Sequence, residues 1–234
     1  MKVIIFIIIS LLSFTSYAEF KSEDSASITL TGGNTEFESY ALKSLNSYQK
    51  NKNSFNFNGI YNYGESRKIR SAENWSIEIR YDYSLSEKQS LYVGEVAEAN
   101  RFSGIKRRYN TDLGYKYIFI KSDEISFLPE IGYRYSIEKN VESSTAAQKD
   151  SKGRLYIEVS KNLKGNIKGK FWIEYLPNFS HSKDYFLNLE PSLIISLTSI
   201  FSMKTAYLWK YNNGPSLENS KHDYNYTLTL IANF

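Results

Sequence analysis

Ionisable residues recur at every second position in several stretches of this chain. Glu78, Arg80 and Asp82 alternate with Ile77, Ile79, Tyr81 and Tyr83. Arg108, Asp112 and Lys116 alternate with Tyr109, Leu113, Tyr115 and Tyr117, and Glu130 and Arg134 with Ile131, Tyr133 and Tyr135. Arg154 and Glu158 share a short stretch; Lys168, Lys170 and Glu174 interleave with Phe171, Ile173 and Tyr175; Glu190 falls among Leu187, Leu189 and Leu193. A spacing of two puts these charges on one face of β-strands. Charges of both signs on neighbouring strands can do one of two things. They can pair across a narrow interior and plug it, because buried charges persist only when paired and hydrogen-bonded, or they can line a small aqueous pore. Catalysis needs other groups, and these are scarce. The two histidines are His181 and His222. His222-Asp223 near loop serines has the composition of a hydrolytic dyad, although a loop His beside an Asp is more commonly a solvated pair. There is no GxSxG elbow, HExxH helix or phosphate-binding glycine loop. Asp223 and Glu218 lack EF-hand spacing. With no cysteine, neither a disulfide frame nor a thiolate metal site can form. The expectation is a non-enzyme without metal or cofactor.

The elements that must carry these charges read as strands throughout. The pattern gives about twelve. The clearest are Ser54–Tyr63, Asn74–Leu85, Arg108–Ile120, Ile125–Ile137, Ile167–Tyr175, Tyr185–Leu197 and Ile200–Tyr211. Ser25–Thr31 and Arg154–Ser160 are shorter. Thr35–Gln49 has weak phase. Ser90–Phe102 places Glu95 in step with Leu91 and Val93, so a phase-changing bulge is expected there. The last strand, His222–Phe234, sets Tyr224, Tyr226, Leu228, Leu230, Ala232 and Phe234 on one face.

Connections alternate in length. Asn51–Asn53, Ser86–Gln89, Lys121–Glu124, Asn162–Asn166 and Leu197–Ser199 are tight; Gly64–Glu73, Ser103–Arg107, Glu138–Gly153, Leu176–Asp184 and Asn212–Lys221 are longer. Aromatic residues, of which there are 20 Tyr, 14 Phe and 3 Trp, gather near both ends of the strands. Amphipathic rings favour the headgroup zone of a bilayer. Alternation, loop asymmetry and two aromatic belts together imply an all-β transmembrane antiparallel barrel of about twelve strands, with short periplasmic turns and longer extracellular loops. A soluble barrel or sandwich would share the alternation but not the belts. Closure requires the last strand to pair with the first around Ser25–Thr31, since open edges cannot face lipid.

Residues 1–18 have the form of a cleaved export signal: Lys2, an apolar run Val3–Leu12, and Ser16-Tyr17-Ala18. Residues 19–234 then make one domain in a bacterial outer membrane, with both termini periplasmic. Without Lys2 the 29 basic residues become 28, against 25 acidic ones. That balance is too even for nucleic acid. The expected partners are outer-membrane lipid, lipopolysaccharide and the barrel assembly machinery, which would read Tyr226, Leu228, Leu230 and Phe234 as an insertion signal; Arg67, Lys68, Arg70, Lys106, Arg107 and Arg108 have the charge to meet lipopolysaccharide phosphates, although ordinary solvated loop charge is the commoner use of such residues. The barrel is expected to be a monomer or weak oligomer.

Several short motifs carry a resemblance. They are Gly33-Asn34-Thr35, Tyr63-Gly64-Glu65, Arg80-Tyr81-Asp82-Tyr83, Arg101-Phe102-Ser103-Gly104, Tyr109 and Leu113-Gly114-Tyr115. In order and spacing they resemble the salt-induced outer membrane protein (YdiY-like) family over residues 24–234. The second strand departs by lacking a clear apolar face. The resemblance implies an outer-membrane barrel of structural or osmotic-stress role and supplies no catalytic mechanism. A narrow channel for ions or small solutes is the alternative, and an outer-membrane hydrolase a further one.

Overall fold

The structure is a computed structural model, and it describes residues 18–31, 37–141, 146–215 and 220–233. The strands are β1 (Ala18–Thr31), β2 (Phe37–Lys50), β3 (Asn53–Ser66), β4 (Ile69–Ser84), β5 (Gln89–Asn100), β6 (Ile105–Tyr117), β7 (Ile120–Lys121), β8 (Ile125–Asn140), β9 (Gln148–Lys164), β10 (Ile167–Pro177), β11 (Tyr185–Ser196), β12 (Phe201–Asn212) and β13 (His222–Asn233). Every long strand pairs antiparallel with its sequence neighbours. β6 pairs with β8, and β1 with β13, so twelve long strands close into a barrel. The two-residue β7 only extends the β6–β8 hairpin. The expected fold class is the observed one.

Alternation decides which face each residue takes. Ile77, Ile79, Leu91, Val93, Leu113, Ile131, Leu155, Leu193, Tyr226, Leu228 and Leu230 are exposed on the outside. Inside, Asp82, Asn110, Asp112, Glu130, Ser136, Asp150, Lys152 and Arg154 are buried. A water-soluble barrel would have the reverse arrangement. The aromatic belts form as contiguous rings. Tyr175, Tyr185 and Tyr211 follow one another at 5.7 and 5.6 Å near the long-loop end, with Trp209 beside Tyr211. Tyr117, Phe119 and Phe127 do so at 6.3 and 5.4 Å near the short-turn end.

Four local expectations need correction. First, β3 and β4 continue to Ser66 and Ile69, so the loop expected over Gly64–Glu73 is a protruding hairpin with a two-residue turn. Arg67 and Lys68 both adopt positive φ, 49° and 63°, which is the twist-matched hairpin turn made without glycine or asparagine. Likewise the expected Glu138–Gly153 loop shrinks to residues 141–147, because Gln148–Gly153 already pair with β8. Length asymmetry between the two ends is therefore carried mainly by the connections after β8, β10 and β12.

Second, β5 runs through Glu95 without a bulge; its one irregularity follows Glu98. Glu95 stays in phase and stands on the outer face, where Thr111 Oγ1 donates to it at 2.6 Å. A cross-strand hydroxyl does what a bulge was expected to do. Third, β2 has a regular phase after all. Tyr40, Leu42 and Tyr48 share the outer face with Ser44 and Asn46, opposite Tyr63, Tyr61 and Phe55. The two polar residues blur the pattern, and Ser22 Oγ satisfies Asn46 at 3.0 Å.

Fourth, the last strand closes on the first as expected, but its ladder covers Glu23–Ala26 and so meets the expected Ser25–Thr31 only at Ser25 and Ala26. Barrel closure staggers successive ladders, and here the stagger places the overlap low on β1. Residues 27–31 continue the ladder with β2. Residues 1–17 and Phe234 lie outside the described residues; Ala18, expected to end the export signal, already belongs to the backbone of β1.

Candidate functional site

The lumen is the place where reactive groups converge, and one wall of it carries most of them. On β4, Arg80 and Asp82 point inward two residues apart and bond to each other at 2.9 Å. Arg80 also bonds Glu130 of β8 at 2.8 Å. Glu130 bonds Arg154 of β9 at 2.7 Å, and Arg154 bonds Glu174 of β10 at 2.7 Å. Glu174 meets Arg134 of β8 at 3.4 Å, and Arg134 grips Asp112 of β6 with two bonds of 2.7 Å. Lys116 closes the other end on Asp82 at 2.8 Å. These eight side chains form one continuous chain of ion pairs across five strands. The geometry is what buried charge requires: among the described residues, no buried side-chain polar atom lacks a hydrogen-bond partner.

The network rests on an aromatic floor. Tyr92 of β5, 2% exposed, lies under Arg80, whose guanidinium is 3.9 Å from the ring centre, and its hydroxyl accepts from Arg154 at 2.9 Å. The ring can lie flat on the wall because Gly114 of β6 and Gly132 of β8 stand beside it. A Cβ at Gly132 would come within 2.5 Å of the Tyr92 hydroxyl. These two glycines serve packing and not chain reversal.

Smaller clusters flank the network. Arg108 bonds Glu98 at 3.1 Å and Glu138 at 2.6 Å near the long-loop end. Lys170 bonds Glu158 at 2.9 Å, beside a stack of Tyr156 and Trp172. Lys204 bonds Glu190 at 2.7 Å. Of the fourteen charges expected in the lumen, twelve are thus ion-paired. Glu78 instead accepts from the Asn58 amide at 2.8 Å. Lys168 sits exposed next to the Gly165–Asn166 turn and joins no ion pair.

Sequence reasoning missed Tyr92, Asn110, Ser136, Asp150 and Lys152. Ser136, 1% exposed, donates to Asn110 at 2.7 Å, and Lys152 lies 3.5 Å from the Ser136 hydroxyl. Tyr92 and Gly114 occupy positions two strands of alternation could have linked, but the close approach needs the register. Lys152 falls in a polar stretch that reads as loop, which hides its inward phase.

The opposite wall differs. The inward positions of β1, β2 and β13 include Ser25, Ser27, Ala41, Ser47, Asn225, Thr227 and Thr229, as their pairings with one another's neighbours require. Charges share the same inward phase: Glu23 and Lys43 stand near Lys204 and Glu190. The lumen therefore has its continuous ion-pair network on the β4–β10 side and a looser mix of small side chains and charge on the β12–β2 side.

Neither histidine makes the dyad that His222-Asp223 suggested. His222 stands opposite Tyr211, and its ring packs 5.0 Å from Tyr211 and 5.7 Å from Trp209. Asp223, the next residue along the strand, is on the other face. His181 in the β10–β11 connection contacts Asp150 at 3.1 Å. The basic loop patch also breaks up. Arg108 turns into the lumen, and Arg70 pairs with Glu73 at 2.8 Å. Lys106 and Arg107 remain exposed at the rim.

Solved structures share this architecture at low identity. An outer membrane channel from Pseudomonas putida F1 is 11% identical with a TM-score of 0.57, covering 95% of this chain and 97% of that one. The NanC porin is 11% identical with a TM-score of 0.55, covering 92% and 98%. The KdgM porin is 11% identical with a TM-score of 0.50, covering 92% and 99%. No curated protein matches the sequence. At these identities the likeness concerns fold, and the fold is that of porin-like outer-membrane barrels. A family model matches residues 25–234, nearly every residue of the barrel, and by that match the chain belongs to the family described as protein of unknown function, DUF481.

Proposed function

We propose that this protein is an outer-membrane barrel of structural, envelope-stress role whose lumen is largely closed by its own side chains. The observation that carries the reading is the eight-member ion-pair chain from Lys116 to Asp112, anchored on Tyr92. A wall-spanning network with its buried members satisfied is a poor lining for a wide water column, which would leave such charges hydrated and separate. The resemblance to salt-induced outer membrane proteins supports an osmotic-stress setting. In this reading both termini are periplasmic, the short turns face the periplasm, and the barrel works as a monomer in contact with outer-membrane lipid and lipopolysaccharide. Tyr226, Leu228 and Leu230, exposed along one face of β13, together with Phe234, which lies outside the described residues, act as the insertion signal for the assembly machinery.

A second reading has its own support. The β12–β2 wall mixes Ser25, Ser27, Ala41, Thr227 and Thr229 with Glu23, Lys43 and Lys204 outside the continuous network, a lining that suits a thin aqueous path and a narrow channel for ions or small solutes. Planar-bilayer recording separates the two. The closed reading expects no stable open steps from the native chain. Regular steps that change when Arg80 or Glu78 is replaced by Ala would favour the channel.

A further inference from the structure

A groove of about 480 Å³ runs obliquely over the outer face from β9 to β13. The register gives its course. Lys161 of β9 stands beside Gly169 of β10, Gly169 beside Leu193 of β11, Leu193 beside Thr205 of β12, and Thr205 beside Leu228 of β13. Lys161 is near the last residue of its strand, Lys164, whereas Leu228 lies halfway along β13. The groove therefore climbs from the short-turn rim into the middle of the wall. Four steps between strands of about 4.8 Å each make it roughly 19 Å long. That is enough to hold a chain crossing one leaflet, roughly half of a 30 Å hydrocarbon core.

The depression exists because its floor is built of small or flat residues. Gly169 offers no side chain, and the atom nearest to a Cβ there would belong to Leu163, 3.5 Å away. Pro191 and Thr205 continue the floor, and Phe171, Leu193 and Tyr207 form its sides. One charged side chain enters the groove from the outer face, Lys161. Lys170 has the opposite phase and gives its ammonium to Glu158 in the lumen at 2.9 Å. Lys161 is exposed, and among the described residues its ammonium makes no ion pair or hydrogen bond. Its neighbours along the strand fix its depth. Val159 pairs with Phe127, which packs on Phe119 in the aromatic ring of the short-turn end. Lys161 is the next outward residue beyond Val159 towards that end. A lysine there covers apolar surface with its stem and holds its ammonium at headgroup level. Lys164 and Lys168 are exposed close by. Asp123 and Glu124 of the adjoining turn form no ion pair with the three lysines among the described residues.

We propose that this groove seats one anionic glycerophospholipid of the periplasmic leaflet. A phosphate oxygen accepts from the Lys161 ammonium, with Lys164 and Lys168 adding positive charge around the head. An acyl chain lies over Gly169 and Pro191 and runs towards Tyr207 and Tyr226, whose rings stand 4.5 Å apart. The choice of leaflet rests on the periplasmic placement of the short turns proposed above; the seat itself does not. It lies outside the barrel and is independent of whether the lumen conducts.

Native mass spectrometry of the full folded chain in detergent, titrated with phosphatidylglycerol or phosphatidylcholine, tests the seat. Phosphatidylglycerol should bind saturably, a single lipid per barrel, and about fivefold more tightly than phosphatidylcholine, the usual worth of one lysine near an anionic head. Lys161→Gln should abolish that preference and Lys161→Arg should keep it. Lys88→Gln, in the turn between β4 and β5, should leave it unchanged. Gly169→Phe, which fills the floor, should weaken both lipids. Equal binding of the two lipids by the native chain, or a preference that survives Lys161→Gln, would overturn the proposal. So would undiminished binding to Gly169→Phe, because Lys161 would then be reaching headgroups without a seat. Tighter binding of lipopolysaccharide than of phosphatidylglycerol, lost with Lys161→Gln, would reject the phospholipid as occupant. Affinity in detergent does not depend on orientation, which protease accessibility on intact cells reads separately. A heat-modifiable gel shift verifies that each variant has folded.

Discussion

At the scale of single residues, the lumen contains two facing positions where a methyl group decides packing. Gly132 and Gly114 leave the space that the Tyr92 ring fills. Gly132→Ala should destabilise the barrel by about 1–3 kcal/mol, the usual cost of overpacking, in urea unfolding followed in detergent or lipid. Adding Tyr92→Ala should recover the part of the clash made with the ring but not the part made with the Leu113 carbonyl, 2.8 Å from a Cβ at that site, while losing the ring's own contacts, so the two changes should not be additive. Within the ion-pair chain, the cost depends on burial and on how many partners are stranded. Glu130→Ala leaves both Arg80 and Arg154 short of a counter-charge and should cost about 3 kcal/mol or more. Lys168→Ala, at an exposed rim position, should stay within about 0.5 kcal/mol. Equal effects at the two sites would contradict the network as described.

The strands show which signals the sequence carried and which it did not. The alternation of Trp75, Ile77, Ile79, Tyr81 and Tyr83 against Glu78, Arg80 and Asp82 fixed the phase of β4, and with it two members of the network. Phase is local, so it was legible. Who pairs with whom across three strands is not local: Arg80 reaching over Tyr92 to Glu130 depends on register, and no spacing within β4 or β8 encodes it. β2 and β5 were opaque because their outer faces carry Asn46 and Glu95, each satisfied by a neighbour's hydroxyl. Loop lengths were overestimated where polar residues such as Arg70 and Lys152 belong to strand ends standing above the bilayer or pointing into the lumen. Two tests sit at this scale. Glu95→Leu should stabilise the barrel in a bilayer by roughly 1–2 kcal/mol, because it removes a carboxylate from the lipid face; a loss of stability would mean that Glu95 has a partner in the membrane. Protease added to intact cells should cut between β8 and β9, within residues 141–147, and spare Leu85–Lys88; the opposite pattern would invert the barrel.

As a whole, the molecule is a barrel with two unlike walls. One wall, β4 to β10, is tiled with paired charge on an aromatic floor. The other, β12 to β2, sets small neutral side chains beside Glu23, Lys43 and Lys204 and contains the seam. The twelve-strand count lies between small barrels filled by side chains and wide porins that leave a channel, so strand number alone does not determine what passes. In the function proposed above the side chains do: the ion-paired wall narrows the axis, and its charges serve one another and not a solute. The most direct measurement of that claim is the conductance of the reconstituted full chain in a planar bilayer, compared with a variant carrying Arg80→Ala, Glu130→Ala and Arg154→Ala together. The account predicts no stable open steps from the native chain and measurable steps from the triple variant. Large, steady steps from the native chain, unchanged when the three charges are removed, would contradict it.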